Sequence, residues 1–112
     1  MDDLERAVAS ATAAGKPVML DFYADWCVSC KANERAVLAR DEFRAVLRET
    51  GTAYMVGDYT DVDPAITAYL QRHKAVGVPL YVVYPRDGGE ERILPVLLTS
   101  AITIDALREA AR

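Results

Sequence analysis

The 112-residue sequence has little of what several functional classes require. It contains only two cysteines, and no apolar run approaches the roughly 18 residues that a membrane-spanning helix needs. The net charge is -4 and the lysines and arginines are scattered, which disfavours binding to nucleic acid or to anionic membranes. A domain of this size can fold without metal or structural disulfides, so the two cysteines are not needed to stabilise the fold.

The first residues also lack the basic start and apolar run of a signal peptide. Two interpretations follow from this. The chain is either a whole cytoplasmic protein or a piece of a longer chain to which a start methionine was added. Composition does not choose between them.

What the sequence does contain is an alternation of helical and strand-like segments. The apolar periodicity and turn signals predict helices over residues 3–14, 28–40, 42–49 and 64–73 and strands over residues 18–23, 53–59, 80–84 and 92–98. We expect Asp41 and Asp63 to be N-caps, and Thr103 to cap a final helix. The order predicts parallel strand pairing early and an antiparallel hairpin late, in an α/β domain over residues 1–112.

Two residues separate the cysteines in the run Cys27-Val28-Ser29-Cys30. This run lies directly after a predicted strand and at the start of a predicted helix. A helix N-terminus stabilises a thiolate through its free N–H groups and partial positive charge. We therefore predict a redox-active dithiol in which an exposed Cys27 attacks and a shielded Cys30 resolves the mixed disulfide. Half of a zinc site and a purely structural disulfide are the alternatives. No metal and no cofactor other than the pair itself is expected, since a second ligand pair is missing.

Two acidic residues could lie beneath the sulfur atoms. Asp21 interrupts an otherwise apolar strand, where a carboxylate is costly unless it is protonated, paired or functional. Glu34 follows Cys30 by about one helical turn. Nearby carboxylates oppose thiolate formation, and a buried one with a raised pKa can exchange protons during the redox step. The alternatives are a paired structural acid for Asp21 and a solvated helix face for Glu34.

The run KPVMLDFYADWCVSCK, residues 16–31, resembles the thioredoxin superfamily. Its YADWCVxCK motif resembles that of the C-terminal periplasmic domain of the DsbD family of transmembrane disulfide reductases more than that of a generic thioredoxin. Val78-Pro79 matches the cis-proline position of the superfamily. The resemblance implies a thioredoxin fold, with a central mixed sheet of about four strands flanked by helices and an N-terminal helix.

The same resemblance implies a role for each matching residue. Such a domain takes electrons from a membrane electron-donor domain and reduces a periplasmic acceptor domain, which supplies disulfide isomerases and cytochrome c maturation proteins. It lies on the periplasmic side of the bacterial inner membrane as part of a membrane protein. The implied catalytic residues are Cys27 as nucleophile, Cys30 as resolving thiol, and Asp21 and Glu34 as the acids that tune them.

Three further residues are candidates for partner binding. Val78 and Pro79 match the groove beside the dithiol, and Trp26, next to Cys27, could contact partners or simply pack. We expect a monomer, since one dithiol must meet successive partners. Ser29, where alanine is common, and the segments 57–64 and 94–100 depart from the family pattern, which leaves the acceptor open. A free cytoplasmic thioredoxin-like reductant and a non-catalytic peptide-binding module are the alternative functions.

Overall fold

The sheet is built around the most apolar strand of the chain. In the computed structural model, which describes residues 1–112, this strand is β1 (Val18–Tyr23), and five of its six residues are buried. It pairs in parallel with β2 (Ala53–Asp58) and antiparallel with β3 (Leu80–Tyr84), and β3 pairs antiparallel with the short β4 (Arg92–Ile93). The strand order is β2-β1-β3-β4, the predicted mixed sheet of four strands.

Helices cover both faces of this sheet. They are α1 (Asp2–Ala13), α2 (Val28–Asn33) with a π-helical continuation (Glu34–Leu38), α3 (Asp41–Thr50), α4 (Pro64–Arg72) and α5 (Ser100–Ala110). None of them is long and apolar enough to cross a membrane. This is the thioredoxin fold with an N-terminal helix, as the sequence predicted.

The period-two alternation of β1 divides the core into two halves. Leu20 and Phe22 face α1 and α4, and their apolar cluster includes Cys27 and Cys30. The other face carries Met19, which packs in a second cluster with residues of α3, β3 and α5. Asp21 projects on this second face, since it is two residues from Met19, but it stands apart from the apolar cluster.

One of the three predicted helix caps is confirmed and two are wrong. Asp63 caps α4 as predicted, because its carboxylate accepts hydrogen bonds from the first N–H groups of the helix. Asp41 is not the N-cap of α3. Arg40 holds that position with extended backbone, and the Asp41 carboxylate instead accepts a hydrogen bond from Arg44 at 3.0 Å.

The predicted cap of the last helix is four residues too late. Thr99, not Thr103, caps α5, and its hydroxyl oxygen accepts from the Ile102 N–H. Thr103 is completely buried inside the helix, where its hydroxyl donates to the Thr99 carbonyl. A threonine bonded in this way satisfies its hydroxyl inside a helix, so its presence did not mark the start.

The segment that follows the hairpin turn is also less regular than predicted. Only Arg92–Ile93 forms a strand, rather than residues 92–98. Pro95 has no N–H to donate to a ladder, so the pairing stops there. Beyond it, the Asn33 side chain takes over by donating to the Val96 carbonyl at 2.7 Å and accepting from the Leu98 N–H at 3.0 Å.

Candidate active site

The two cysteines form a disulfide at the start of α2. Cys27 is the N-cap residue, with extended backbone, and its Sγ accepts a hydrogen bond from the Cys30 N–H at 3.1 Å. The first turn of the helix therefore directs an N–H group at this sulfur. The same contact would stabilise a thiolate on Cys27 after reduction.

The expected difference in exposure between the two cysteines is absent. Both are 6% exposed in this oxidised state, and both belong to the apolar cluster on the α4 face of the sheet. The prediction of an exposed Cys27 is therefore wrong for the disulfide form, because both residues are packed into the core. Their neighbours form the accessible rim, since Trp26 is 55% exposed and Val28 is 82% exposed.

Asp21 is buried in β1, the strand that leads to the pair. It is 4% exposed, its Oδ2 accepts a hydrogen bond from the Tyr54 hydroxyl, and its Oδ1 has no hydrogen-bond partner. Burial raises the pKa of Asp21 to about 6; the Tyr54 hydrogen bond lowers it and the charge of Glu34 raises it further. A carboxyl in this state can take up or release a proton near neutral pH.

A pocket of about 430 Å³ brings the acids and one cysteine together. Asp21, Cys30 and Glu34 all line it, so the structure places both predicted acids in the same pocket as Cys30. Glu34 begins the π-helical segment and is exposed, at the outer part of this pocket, whereas Asp21 is enclosed. No group of three or more His, Cys, Asp or Glu side chains is arranged to hold a metal ion.

The hydrogen-bond partner of Asp21, Tyr54, was not among the site residues predicted from the sequence. Tyr54 binds its carboxylate, and Tyr81, its direct partner on β3, accepts a hydrogen bond from Asn33 at 2.9 Å. The register of the strands predicts the positions of both tyrosines. Matching the apolar faces of β1, β2 and β3 puts them on the Asp21 face.

A second missed residue holds the segment between β1 and α2. The Thr60 hydroxyl accepts from the Asp25 N–H at 2.9 Å, and its carbonyl accepts from the Trp26 indole N–H at 3.1 Å. Thr60 is itself fixed by the Asp58 carboxylate, which accepts from its N–H at 2.9 Å. The acidic loop after β2 therefore anchors Trp26 beside the dithiol, rather than being only a solvated connection.

The predicted partner groove lies at the same edge of the sheet. The Val78–Pro79 peptide bond is cis, and Pro79 immediately precedes β3. Since Leu80 pairs with Phe22, near the end of β1, the proline lies where the chain leaves the sheet toward Cys27. Val78 packs against the cluster that contains both cysteines.

The fold and this site define a class of protein. A disulfide at the start of a helix that follows the central strand of a thioredoxin fold makes this chain a disulfide oxidoreductase, and its chemistry is thiol–disulfide exchange. The chain belongs to the thioredoxin-like family, whose model matches residues 1–85.

Similar proteins narrow the likeness to one branch of that family. The chain is 39% identical over 112 residues to the thiol:disulfide interchange protein DsbD 1 of Pseudomonas aeruginosa, covering 96% of the chain and 18% of that protein. It is 36% identical over 111 residues to DsbD of Ralstonia nicotianae, covering 98% of the chain and again 18% of the relative. The chain thus spans less than a fifth of the length of these relatives.

The structural likeness points to one domain of such proteins. The oxidised DsbD C-terminal domain of Neisseria meningitidis superposes with a TM-score of 0.78 at 28% identity, covering 97% of this chain and 94% of that one. The reduced form of the same domain gives a TM-score of 0.71 at 27% identity, covering 95% and 96%. The chain is therefore similar over nearly its whole length to the C-terminal domain of a DsbD protein.

Proposed function

We propose that the chain is a reducing relay domain of the DsbD type, joined to a membrane protein and facing the periplasm. It takes electrons from a membrane electron-donor domain and passes them to a periplasmic acceptor domain through Cys27 and Cys30. Support comes from the likeness to DsbD C-terminal domains over nearly the whole chain and from the small share of those proteins that it spans. Cytochrome c maturation is a downstream use of such electrons.

One observation supports the reducing direction above all. Asp21, a buried carboxyl, lies beside Cys30 in the same pocket, with Glu34 at its outer part. Negative charge there opposes formation of a thiolate, whereas a strong oxidant depends on stabilising its reduced, thiolate form. The acids therefore offset the favourable N–H contact at Cys27 and leave a dithiol that gives up its electrons readily.

Each residue of the site has a role in this proposal. Cys27 attacks the partner disulfide, and Cys30 resolves the mixed disulfide. Asp21 exchanges the proton of the resolving thiol, and Glu34 adds negative charge that favours the protonated form of Asp21. The partner segment docks against the surface formed by Trp26, Val78 and Pro79.

The deciding measurement is the equilibrium potential of the Cys27–Cys30 pair, poised in thiol/disulfide buffers and trapped with a mass-tagging alkylator. We expect one reversible two-electron transition near or below about -200 mV, in the range of thioredoxin and glutaredoxins. The Asp21→Asn/Glu34→Gln variant should have a less negative midpoint, because its thiolate form is more stable. Asp105→Asn, which removes one exposed charge from α5, is the control and should match the wild type.

Other outcomes would favour other functions. A midpoint near about -120 mV, the range of strong oxidants, would reverse the direction of electron flow. Rapid reduction by thioredoxin reductase would favour a free cytoplasmic reductant. The absence of any reversible transition, together with partner binding that survives Cys27→Ser/Cys30→Ser, would favour a peptide-binding module.

A further inference from the structure

The hydrogen bond between Tyr54 and Asp21 makes the two oxygen atoms of this carboxyl group different. Tyr54 lies on β2 opposite Met19, so its side chain shares the sheet face of Asp21, and its hydroxyl donates to Asp21 Oδ2. A phenol has one hydrogen to give, so this bond occupies its donor. The other oxygen, Oδ1, is buried and accepts nothing.

The tyrosine is suited to hold this bond throughout the redox cycle. Burial and the neighbouring Asp21 charge raise the pKa of Tyr54 far above its usual range, so its hydroxyl stays protonated. As long as Tyr54 donates to Oδ2, a proton that reaches the carboxyl group sits on Oδ1. The residue is thus a fixed donor, and Asp21 is the group that titrates.

We propose that Tyr54 is a positioning residue that occupies one oxygen of Asp21 and presents the other, Oδ1, as the acceptor of the Cys30 proton. The proposal rests on the proposed function, in which Asp21 exchanges a proton with the dithiol. Tyr54 is hydrogen-bonded to Asp21 and to neither cysteine. It acts through Asp21 alone.

In the resolving step, the partner is bound to Cys27 through a mixed disulfide. Cys30 gives its proton to Asp21 Oδ1, and its sulfur forms the bond to Cys27 as the bond from Cys27 to the partner breaks. The electron pair of the broken bond leaves on the partner sulfur, which departs as a thiolate. The dithiol is oxidised by two electrons, the partner disulfide is reduced, and Asp21 releases its proton to solvent.

The other groups around Asp21 do not take over this role. Tyr81 faces it from β3, but the Tyr81 hydroxyl is held by Asn33, and burial raises the pKa of Tyr81 to about 12. Glu34 reaches the pocket from the end of α2 and acts through its charge. The remaining titratable residues of the pocket lining are Tyr23, Asp25 and Lys31. None of them is hydrogen-bonded to Asp21.

The test is Tyr54→Phe, which keeps the ring and removes the donor. We expect the Asp21 pKa, read from its carboxyl ¹³C signal in the oxidised protein, to rise by about one unit or more. The pH midpoint for resolution of a Cys27 mixed disulfide should move upward with it. Tyr84→Phe is the matched control, since it removes a hydroxyl bonded to Tyr69 at 2.5 Å, away from this pocket, and should move neither.

A double variant separates positioning from a general structural effect. In an Asp21→Asn background, Tyr54→Phe should change neither the pH profile nor the resolution rate, because its target is no longer ionisable. Equal effects in both backgrounds would overturn the proposal. So would a wild-type Tyr54 ring Cζ signal that fails to titrate with Asp21, a measurement that needs no variant.

Failure of the proposed function looks different from failure of this inference. A wild-type protein without a reversible dithiol transition would remove the relay function, whatever Tyr54 does. A normal wild-type transition with an unchanged Asp21 pKa in Tyr54→Phe would leave the relay function standing and remove the positioning role.

Discussion

Asp21 is a buried carboxyl group whose ionisation opposes folding. Its folded pKa of about 6 lies well above the value of 3.8 for an unperturbed aspartate, and burial is the main cause. Between these two values the folded state binds more protons than the unfolded state. Its contribution to stability therefore decreases as the pH rises from about 4 to about 6, and the full cost is present above that range.

Asp21→Asn should consequently stabilise the oxidised protein at neutral pH. A shift of two pKa units corresponds to about 3 kcal/mol, so we expect a gain of about 1–3 kcal/mol at pH 7 and almost none at pH 4. Urea unfolding at the two pH values measures this difference. Asp105→Asn, at an exposed site, should show no such dependence on pH. An equal change for Asp21→Asn at both pH values would mean that its cost is not one of ionisation.

At the scale of the elements, β1 and β2 are tightly packed where Phe22 pairs with Gly57. Gly57 lies opposite Phe22, and a Cβ atom at Gly57 would come within 2.5 Å of the Phe22 ring. That ring is fully buried and packs against Tyr69 with 5.0 Å between ring centroids, so it has little room to move. A residue without a side chain is needed at this position for β2 to pair here.

Gly57→Ala should therefore destabilise the protein by about 1–3 kcal/mol, the usual cost of an overpacked core. Gly77→Ala is the matched control: nothing lies within 4 Å of its added Cβ, and its backbone is not left-handed. We expect it to be neutral or slightly stabilising. Urea unfolding curves with unchanged slopes would report both effects. Equal stability of the two variants would contradict the close contact at Phe22.

The same elements show how far the sequence alone reaches. The order of strands and helices, and the cap at Asp63, could be predicted because they depend on local periodicity and local hydrogen bonding. The start of α5 and the end of β4 could not, because Thr99 and Thr103 are both plausible caps and because the chain after Ile93 is held by the distant Asn33.

The candidate site divides in the same way. The motif that contains Cys27 and Cys30 and the unusual acid at Asp21 are visible in one stretch of chain. Tyr54, on β2, is hydrogen-bonded to Asp21, which is 33 residues earlier in the chain. Thr60, in the loop after β2, is hydrogen-bonded to Trp26, which is 34 residues earlier. Parallel pairing of β1 and β2 brings them there. The register of this pairing predicts the place of Tyr54, whereas Thr60 lies in the loop beyond the end of β2.

At the scale of the whole molecule, the redox state is coupled to stability. The disulfide closes a loop of only four residues, for which loss of chain entropy in the unfolded state accounts for about 2 kcal/mol. The negative charge in the pocket acts in the same direction, because it denies the reduced state the thiolate stabilisation that a helix N-terminus would otherwise supply. Both effects favour the oxidised protein, as the proposed reducing relay requires.

The oxidised protein should therefore unfold at a temperature about 10 °C above that of the reduced protein, as follows from about 2 kcal/mol in a domain of this size. Differential scanning calorimetry at pH 7, with and without excess reductant, measures the difference. Cys27→Ser/Cys30→Ser is the control and should melt at one temperature in both buffers. In a strong oxidant the order is reversed, because thiolate stabilisation makes the reduced fold the more stable one. A reduced form that melts at the higher temperature would thus mean that the N–H contact at Cys27 outweighs Asp21 and Glu34, and electrons would then flow into this domain from its periplasmic partner.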